Sequence, residues 1–336
     1  MATIFPNAFN VRDDVMPGFE DQAGQWGWKA SLFSFGKAEK DLIDYFNPSI
    51  VERKDGLWLL VRRSIFEDRL RFGRNSIMAF KLGGADGISP LHGMKLRIPF
   101  TNDQEQFEDP RAIYHDGHTW VGACNFVWYG TKWTGAHQIL AACDDNWEAN
   151  RYDPDYGKNG MAIGRNTGHE KNWLWFFHKN RLHMVYAGPP DQQVVEFTSA
   201  MQNQAVHLSK APCPWPHGVI RGGTPPVLVD NEYWTFFHSS MPWRPPFRRY
   251  FMGAYAFEAK PPFRPTRITG EALLIGSQND YWQARKPLVV FPCGAILKAG
   301  RNPGQWSWFI TLGINDLKCG WVEIPHDDLL LLTEEL

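Results

Sequence analysis

The run Phe107-Glu108-Asp109-Pro110-Arg111 sets two adjacent carboxylates beside a guanidinium. Such a group can hold its acids at different pKa values, one carrying a proton and one ionised, as acid–base work on a bond requires. A strand-entry turn closed by a salt bridge would use the same residues. Further along, Glu170-Lys171-Asn172-Trp173 offers a cation for a phosphate or a sugar hydroxyl, or else a solvated hairpin end. Arg221-Gly222-Gly223-Thr224-Pro225-Pro226 has two glycines that would let backbone approach a ligand closely. No Gly-Lys-Ser/Thr follows them, so the run is not a P-loop. Gly313-Ile314-Asn315-Asp316 ends an aromatic strand with a carboxylate suited to a sugar hydroxyl or to a turn. His238 follows the aromatic run Trp234-Thr235-Phe236-Phe237 and reads first as a hydrogen-bonded structural group.

Other chemistries find little support. The histidines show no HExxH-like spacing, and the five cysteines form no CxxC pair, so neither a metal nor another cofactor is expected. No GxSxG or cysteine–histidine constellation can be read, and Cys293 lies in an apolar stretch that suits packing. His115 and His118 fall in a turn and read as surface groups.

The elements that must position these residues form a repeat. A polar-proline entry leads into an apolar strand, a tight polar turn and an aromatic-rich strand. The turns include Lys54-Asp55-Gly56, His115-Asp116-Gly117, Lys179-Asn180 and Asp230-Asn231, whose residues tolerate the positive φ of tight hairpins. Copies start at positions 47, 109, 172, 224 and 291, at intervals of 62, 63, 52 and 67 residues. Each interval accommodates one four-stranded sheet and a loop, which predicts an all-β, five-bladed β-propeller. Two β-sandwiches would also be all-β, but they require no such period. The 16 Trp, 23 Phe and 10 Tyr would then fill the gaps between neighbouring blades. Residues 41–336 are read as a single propeller domain, and residues 1–40 as a segment that lies across it or closes its last blade. Pro242 to Tyr250, proline-rich and long for a hairpin turn, reads as a loop over one face.

In a propeller the innermost strands meet at a central channel. Residues at the starts of the copies therefore converge, which makes Asn47, Glu108, Asp109, Arg111, Lys171, Asn172 and Thr224 candidates for one polar pocket. Carboxylates, amides and arginine bind hydroxyls, and indole faces stack on sugar rings, so a carbohydrate fits this set better than a nucleotide or a lipid.

The order of these motifs is also familiar. Asn47-Pro48, Glu108-Asp109-Pro110-Arg111, a third unit led by Lys171, Gly222-Gly223-Thr224-Pro225-Pro226, a strand ending in His238-Ser239, Phe291-Pro292-Cys293-Gly294 and the final Gly313-Ile314-Asn315-Asp316 together resemble glycoside hydrolase family 130. The resemblance runs from about Phe46 to Asp316 and implies a five-bladed propeller of the kind found in inverting β-mannoside phosphorylases. It implies that Asp109 is the proton donor, acting through a hydroxyl of the sugar. It places Asn47, Arg62 and Arg111 on the pocket wall, Asp316 on the sugar and His238 at the close of the fourth-blade strand. Two departures stand out. Lys171-Asn172 replaces the Lys-Asp of the phosphorylases, and Tyr186-Ala187 replaces a His-Arg whose arginine grips phosphate. Hydrolysis or transfer is therefore expected ahead of phosphorolysis, and related propellers include mannosyltransferases. If water attacks, a second carboxylate must act as base, and Glu170 is the candidate. The expected partners are an oligosaccharide or glycoside, with phosphate or a sugar nucleotide as co-substrate. A propeller that only binds carbohydrate is the alternative, favoured if Asp109 turns away from the channel.

Lysine and arginine total 35 against 36 aspartates and glutamates, a net charge of −1, which argues against nucleic acid or an anionic membrane as partner. The segment Met1-Ala2-Thr3-Ile4-Phe5-Pro6 lacks the basic start and apolar stretch of a signal peptide, and the cysteine pattern suits a reducing compartment, so a cytoplasmic location is expected. The oligomeric state is left open.

Overall fold

The computed structural model describes residues 16–35, 43–65, 74–101, 105–129, 132–154, 170–280, 288–300 and 303–336. A short helix α1 (Phe19–Gln25) and strand β1 (Lys29–Leu32) come first. Blade I is β2 (Ile43–Arg53), β3 (Gly56–Ile65), β4 (Arg74–Gly83) and β5 (Ser89–Lys95). Blade II is β6 (Glu105–His115), β7 (His118–Tyr129), β8 (Lys132–Cys143) and β9 (Ala149–Tyr152). Blade III is β10 (Leu174–His178), β11 (Arg181–Ala187), β12 (Asp191–Phe197) and β13 (Asn203–Lys210). Blade IV holds β14 (Val227–Val229), β15 (Glu232–Pro242), β16 (Arg248–Glu258), β17 (Pro265–Thr269) and the short β18 (Leu274–Ile275). Blade V holds β19 (Val290–Ala299), β20 (Trp306–Ile314) and β21 (Lys318–Pro325), after which come α2 (His326–Leu332) and β22 (Thr333–Glu335). The sheets are antiparallel meanders, and together they form the expected five-bladed β-propeller.

Local chemistry accounts for the meanders. His115 pairs with His118 and His178 with Arg181, so each hairpin turns on two residues. Asp116 and Gly117 sit at φ 49° and 79°, and Lys179 and Asn180 at 48° and 61°. Two consecutive positive φ values match the right-handed twist of the flanking strands. The segment expected to form a loop over one face is instead a long hairpin: Pro242 pairs with Arg248, and Trp243 to Phe247 make its tip. Proline at the end of a strand removes no ladder donor that the tip needs, so the pairing can run out to it.

Burial closes the ring. One apolar cluster joins Trp58, Leu60 and Ala79 of blade I to Val121, Ile139 and Trp147 of blade II. Others join Leu140 to Trp175 and Met184, Phe176 to Tyr233 and Phe257, Trp234 to Trp308 and Val322, and Phe309 to Leu59 and Val61. Every blade therefore packs on both neighbours, and large aromatics on the second strands fill much of the space, as their recurrence in the sequence predicts. Strand β1 pairs with β21 as the outer strand of blade V, and β22 pairs with β17 on blade IV. Residues 1–15 and 36–42 lie outside the described residues. The N–H of Phe19, at the start of α1, is accepted by both Asp280 carboxylate oxygens at 3.0 Å, which seats the segment before β1 on the ring. Among the described residues, no helix is long and apolar enough to cross a membrane.

Candidate active site

The inner strands carry a repeated irregularity. In β2 the register slips between Phe46 and Ser49, in β6 between Glu108 and Arg111, and in β19 between Pro292 and Gly294. At the first two, Asn47 and Asp109 both adopt φ 51° and a proline follows. Asparagine and aspartate are the side chains that best tolerate this left-handed region, and such bulges re-aim a side chain out of its strand's alternation. Asn172, Asn315 and Asp316 share the same backbone region at φ 66°, 53° and 51°.

These devices deliver polar side chains to a cavity of about 200 Å³ lined from all five blades. Eight of the expected residues lie on its wall: Asn47, Arg62, Glu108, Asp109, Lys171, Asn172, His238 and Asp316. Arg111 lies behind the wall, 1 % exposed. Its Nε donates to the Gly223 carbonyl at 2.8 Å, Nη1 to the Asp109 carbonyl at 2.9 Å and Nη2 to Asn172 Oδ1 at 3.2 Å. It thus straps the entries of blades II, III and IV together. Thr224 is fully buried; its hydroxyl accepts from the Phe236 N–H at 3.0 Å, away from the cavity wall. Glu170 is also off the wall, and accepts from the Tyr186 hydroxyl at 3.3 Å. Burial raises the Glu170 carboxyl above its ordinary range despite hydrogen bonds from Tyr186 and Trp173.

Arg62 is the hub of the charged wall. Nη2 meets Glu108 at 2.6 Å, Nη1 meets Asp109 at 3.3 Å, and Nε donates to Asn75 Oδ1 at 3.1 Å. Its guanidinium lies over the Phe46 ring at 4.6 Å. Asn75 in turn donates to Glu108 at 2.6 Å, and Asn47 Nδ2 donates to Asp109 Oδ1 at 2.7 Å. Burial alone would raise the Asp109 carboxyl, but Arg62, Arg111, the Asn47 amide and Lys171 outweigh it and hold the group below the usual carboxylate range. Asp109 is therefore an anion at neutral pH. His238, 2 % exposed, is pushed well below the ordinary histidine range by burial and by the charges of Arg111, Arg221 and Lys171, so its ring is neutral.

Asn75, Phe126, Arg221, Tyr250, Val289 and Phe291 complete the wall without having been singled out from the sequence. Asn75 sits on β4, away from any strand entry, and the alternation of β4 was its only signal; Arg62, on β3, is placed on the wall by the family resemblance. Tyr250 enters because β16 extends so far. Two expectations need correction. The aromatic groups on the wall are Phe126, Tyr250 and Phe291, and among the described residues no tryptophan lines it. The bulkiest rings were spent between the blades, where Trp147, Trp173, Trp175, Trp234 and Trp308 are fully buried. Gly222 and Gly223 do not make room for a ligand. A Cβ on either would run into backbone, the Asn172 carbonyl for one and the Phe236 carbonyl for the other. Ala187 is not on the wall, and Tyr186 lines only a small hollow of about 10 Å³ behind Asn172.

Gly313 is a quieter part of the site. A Cβ there would overlap the Asn47 amide oxygen. Gly313→Ala is therefore expected to displace Asn47 from Asp109, lower the affinity for ligand and cost about 1–3 kcal/mol through overpacking. Thermal denaturation and a binding isotherm check both; an unchanged isotherm would remove Asn47 from the site.

No protein-family model matches the sequence, and no curated protein matches it significantly. Solved structures do share the fold. β-1,2-Mannobiose phosphorylase from Listeria innocua superposes with a TM-score of 0.64 at 15 % identity, over 88 % of this chain and 94 % of that one. A protein described with the family-130 mannoside phosphorylases and the glycoside hydrolases among them that target β-1,2-mannosidic linkages in Candida mannan gives 0.62 at 14 % identity, over 94 % and 92 %. MPT-1, a GDP-Man-dependent mannosyltransferase from Leishmania mexicana, gives 0.59 at 14 % identity, over 88 % and 89 %.

Proposed function

We propose that the protein cleaves or transfers a glycosyl unit of mannosyl type, with Asp109 delivering the proton to the departing oxygen. The observation that carries this is the placement of Asp109: its side chain is on the wall of a polar cavity, on a strained bulge, between Arg62 and Asn47. The three solved structures named above are described with mannoside phosphorolysis, mannoside hydrolysis or mannosyl transfer, and the resemblance in motif order points the same way. Asn47, Asn172, Glu108 and Asp316 supply acceptors and donors for sugar hydroxyls. Lys171 and Arg221 add positive charge to the same wall, where a phosphate or the phosphate of an activated donor can be held. For hydrolysis, Glu170 would have to come forward from Tyr186 to serve as base.

A donor must hold a proton, and the cations and amide around Asp109 keep it ionised. Substrate therefore has to raise its affinity for a proton, by excluding water and by bringing a hydroxyl against it. The sign of the consequence is definite. The acid form of the free enzyme grows tenfold for each pH unit of acidification until the lowered pKa is reached, so kcat/KM should rise as pH falls below neutral. A profile that is flat there, or rises toward alkaline pH, would assign Asp109 the role of base.

The assay that tests the whole reading incubates the protein with β-linked mannosides and glucosides, with and without phosphate, and with sugar-nucleotide donors. Free sugar, sugar phosphate and a lengthened glycan identify water, phosphate and a sugar hydroxyl as attacking group. No product with any of them would leave a carbohydrate-binding propeller. Because Ala187 stands where the resemblance puts the phosphorylases' arginine, free sugar or transfer is the expected product, and strict phosphate dependence would overturn that expectation.

A further inference from the structure

The face of blade III that packs toward blade IV holds a cluster unrelated to the cavity. His183 on β11 pairs directly with Glu196 on β12, and His207 on β13 lies opposite Val194, so all three side chains share one side of the sheet. One ligating atom from each lies within 4.8 Å of the others. His183 Nε2 is 3.8 Å and His207 Nε2 is 3.5 Å from Glu196 Oε2.

Two details point to a ligand. His183 Nδ1 is 2.9 Å from the Arg181 carbonyl, which can only accept, so the proton is on Nδ1 and the lone pair of the neutral ring is on Nε2, facing the cluster. That is the outer hydrogen bond by which proteins orient metal-binding histidines. His183 is 2 % exposed, and the buried Nε2 of His207 has Glu196 Oε2 at 3.5 Å, too far for a well-formed hydrogen bond. Arg181 engages the other carboxylate oxygen, Glu196 Oε1, at 2.6 Å, which orients Oε2 toward the imidazoles. Phe263 closes the cluster, its ring centroid 5.3 Å from those of both His183 and His207.

We propose that His183, Glu196 and His207 bind a divalent transition-metal ion, with zinc as the best match. Two imidazoles and a carboxylate suit zinc, with water in the fourth position. Tetrahedral bonds of about 2.0–2.1 Å set ligand atoms roughly 3.3 Å apart, so small rotamer shifts close the site. None of the three residues lines the cavity, and the ion would pin β11, β12 and β13 at the blade III–IV seam. Its effect is on stability, because an ion that binds the folded chain and not the unfolded one raises the melting temperature. The sequence did not suggest it, because the ligands come from three neighbouring strands and not from one short motif.

The test strips the full chain with EDTA, adds Zn²⁺, removes the excess by gel filtration and measures retained zinc and the thermal midpoint. One equivalent per chain and a raised midpoint are expected for the wild type. Glu196→Gln and His207→Ala should each weaken binding at least tenfold and abolish the shift. His207 is the more exposed ligand, so its variant keeps the question open to decision if the Glu196 variant folds poorly. Co²⁺ should add a visible absorption band in the wild type that His207→Ala lacks. No metal retained by the wild type, or retention in both variants equal to the wild type, would overturn the proposal; the second result would mark zinc held adventitiously by cysteines or other histidines. The outcome does not depend on whether the cavity acts on a sugar.

Discussion

Asp109→Asn is expected to lower kcat by about 10²–10⁴-fold, the usual contribution of a positioned acid or base. The amide is nearly the same shape as the carboxylate and can still accept from Asn47 Nδ2, so the bulge and the cavity wall should persist. Arg62 would keep Glu108 at 2.6 Å and Asn75 at 3.1 Å, which prevents it from becoming an uncompensated buried charge. Only the proton is lost. Steady-state rates on whichever mannoside is turned over, together with circular dichroism and a melting curve, separate the chemical effect from misfolding. If kcat stays within a few-fold of wild type while the fold is intact, Asp109 is a structural member of the Arg62 network and not the acid.

Arg62→Met should have the largest effect on stability. The side chains of Arg62, Glu108 and Asp109 are 16, 8 and 14 % exposed, so the network is largely out of water. Removing the shared cation leaves two carboxylates close together, with Glu108 still accepting from Asn75 and Asp109 from Asn47. Breaking a buried pair in this way costs about 3–5 kcal/mol. Methionine retains much of the chain length and can still lie on Phe46, so the loss reports charge more than packing. The pH dependence identifies the cause. A carboxyl whose folded pKa is depressed stabilises the fold above its unfolded pKa, and that contribution disappears as pH falls through the folded value. Arg62 is one source of the depression at Asp109, so the gap between variant and wild type should be widest at neutral pH and should narrow below roughly pH 4. Urea denaturation at the two pH values measures it; an equal gap at both would mean that Arg62 matters through its packing alone.

Much of the fold was legible in the sequence, because the rules that set it act over short stretches. Turn residues declare positive φ within a window of two or three positions, as at Asp116-Gly117 and Lys179-Asn180, and the recurrence of those turns exposes the blade period. The two Asx-Pro entries, Asn47-Pro48 and Asp109-Pro110, were visible for the same reason, since the backbone strain and the side chain that tolerates it are the same residue. Strand entries converge in any closed ring of blades, so knowing the ring was enough to bring Asn47, Asp109, Lys171 and Asn172 together.

What lies one strand further out depended on tertiary structure, apart from the presence of Arg62 on the wall, which the family resemblance implied. Arg62 reaches the cavity from a second strand and Asn75 from a third, and whether a strand residue faces the channel, a neighbouring blade or solvent depends on sheet twist and on where each bulge resets the alternation. The glycines of Gly222-Gly223 look alike whether a ligand or a neighbouring carbonyl lies beside them; only the packed chain shows that it is a carbonyl. Tryptophan count predicts a need for large apolar surface but not which surface, and ring closure placed five of them between blades. The sequence by itself determined the repeat, the turns and the strained acidic and amide positions at the channel. Tertiary structure alone decided which cation neutralises Asp109, which rings face the cavity and that two histidines and a glutamate from three strands meet on the seam, because those are distances between residues far apart in the chain.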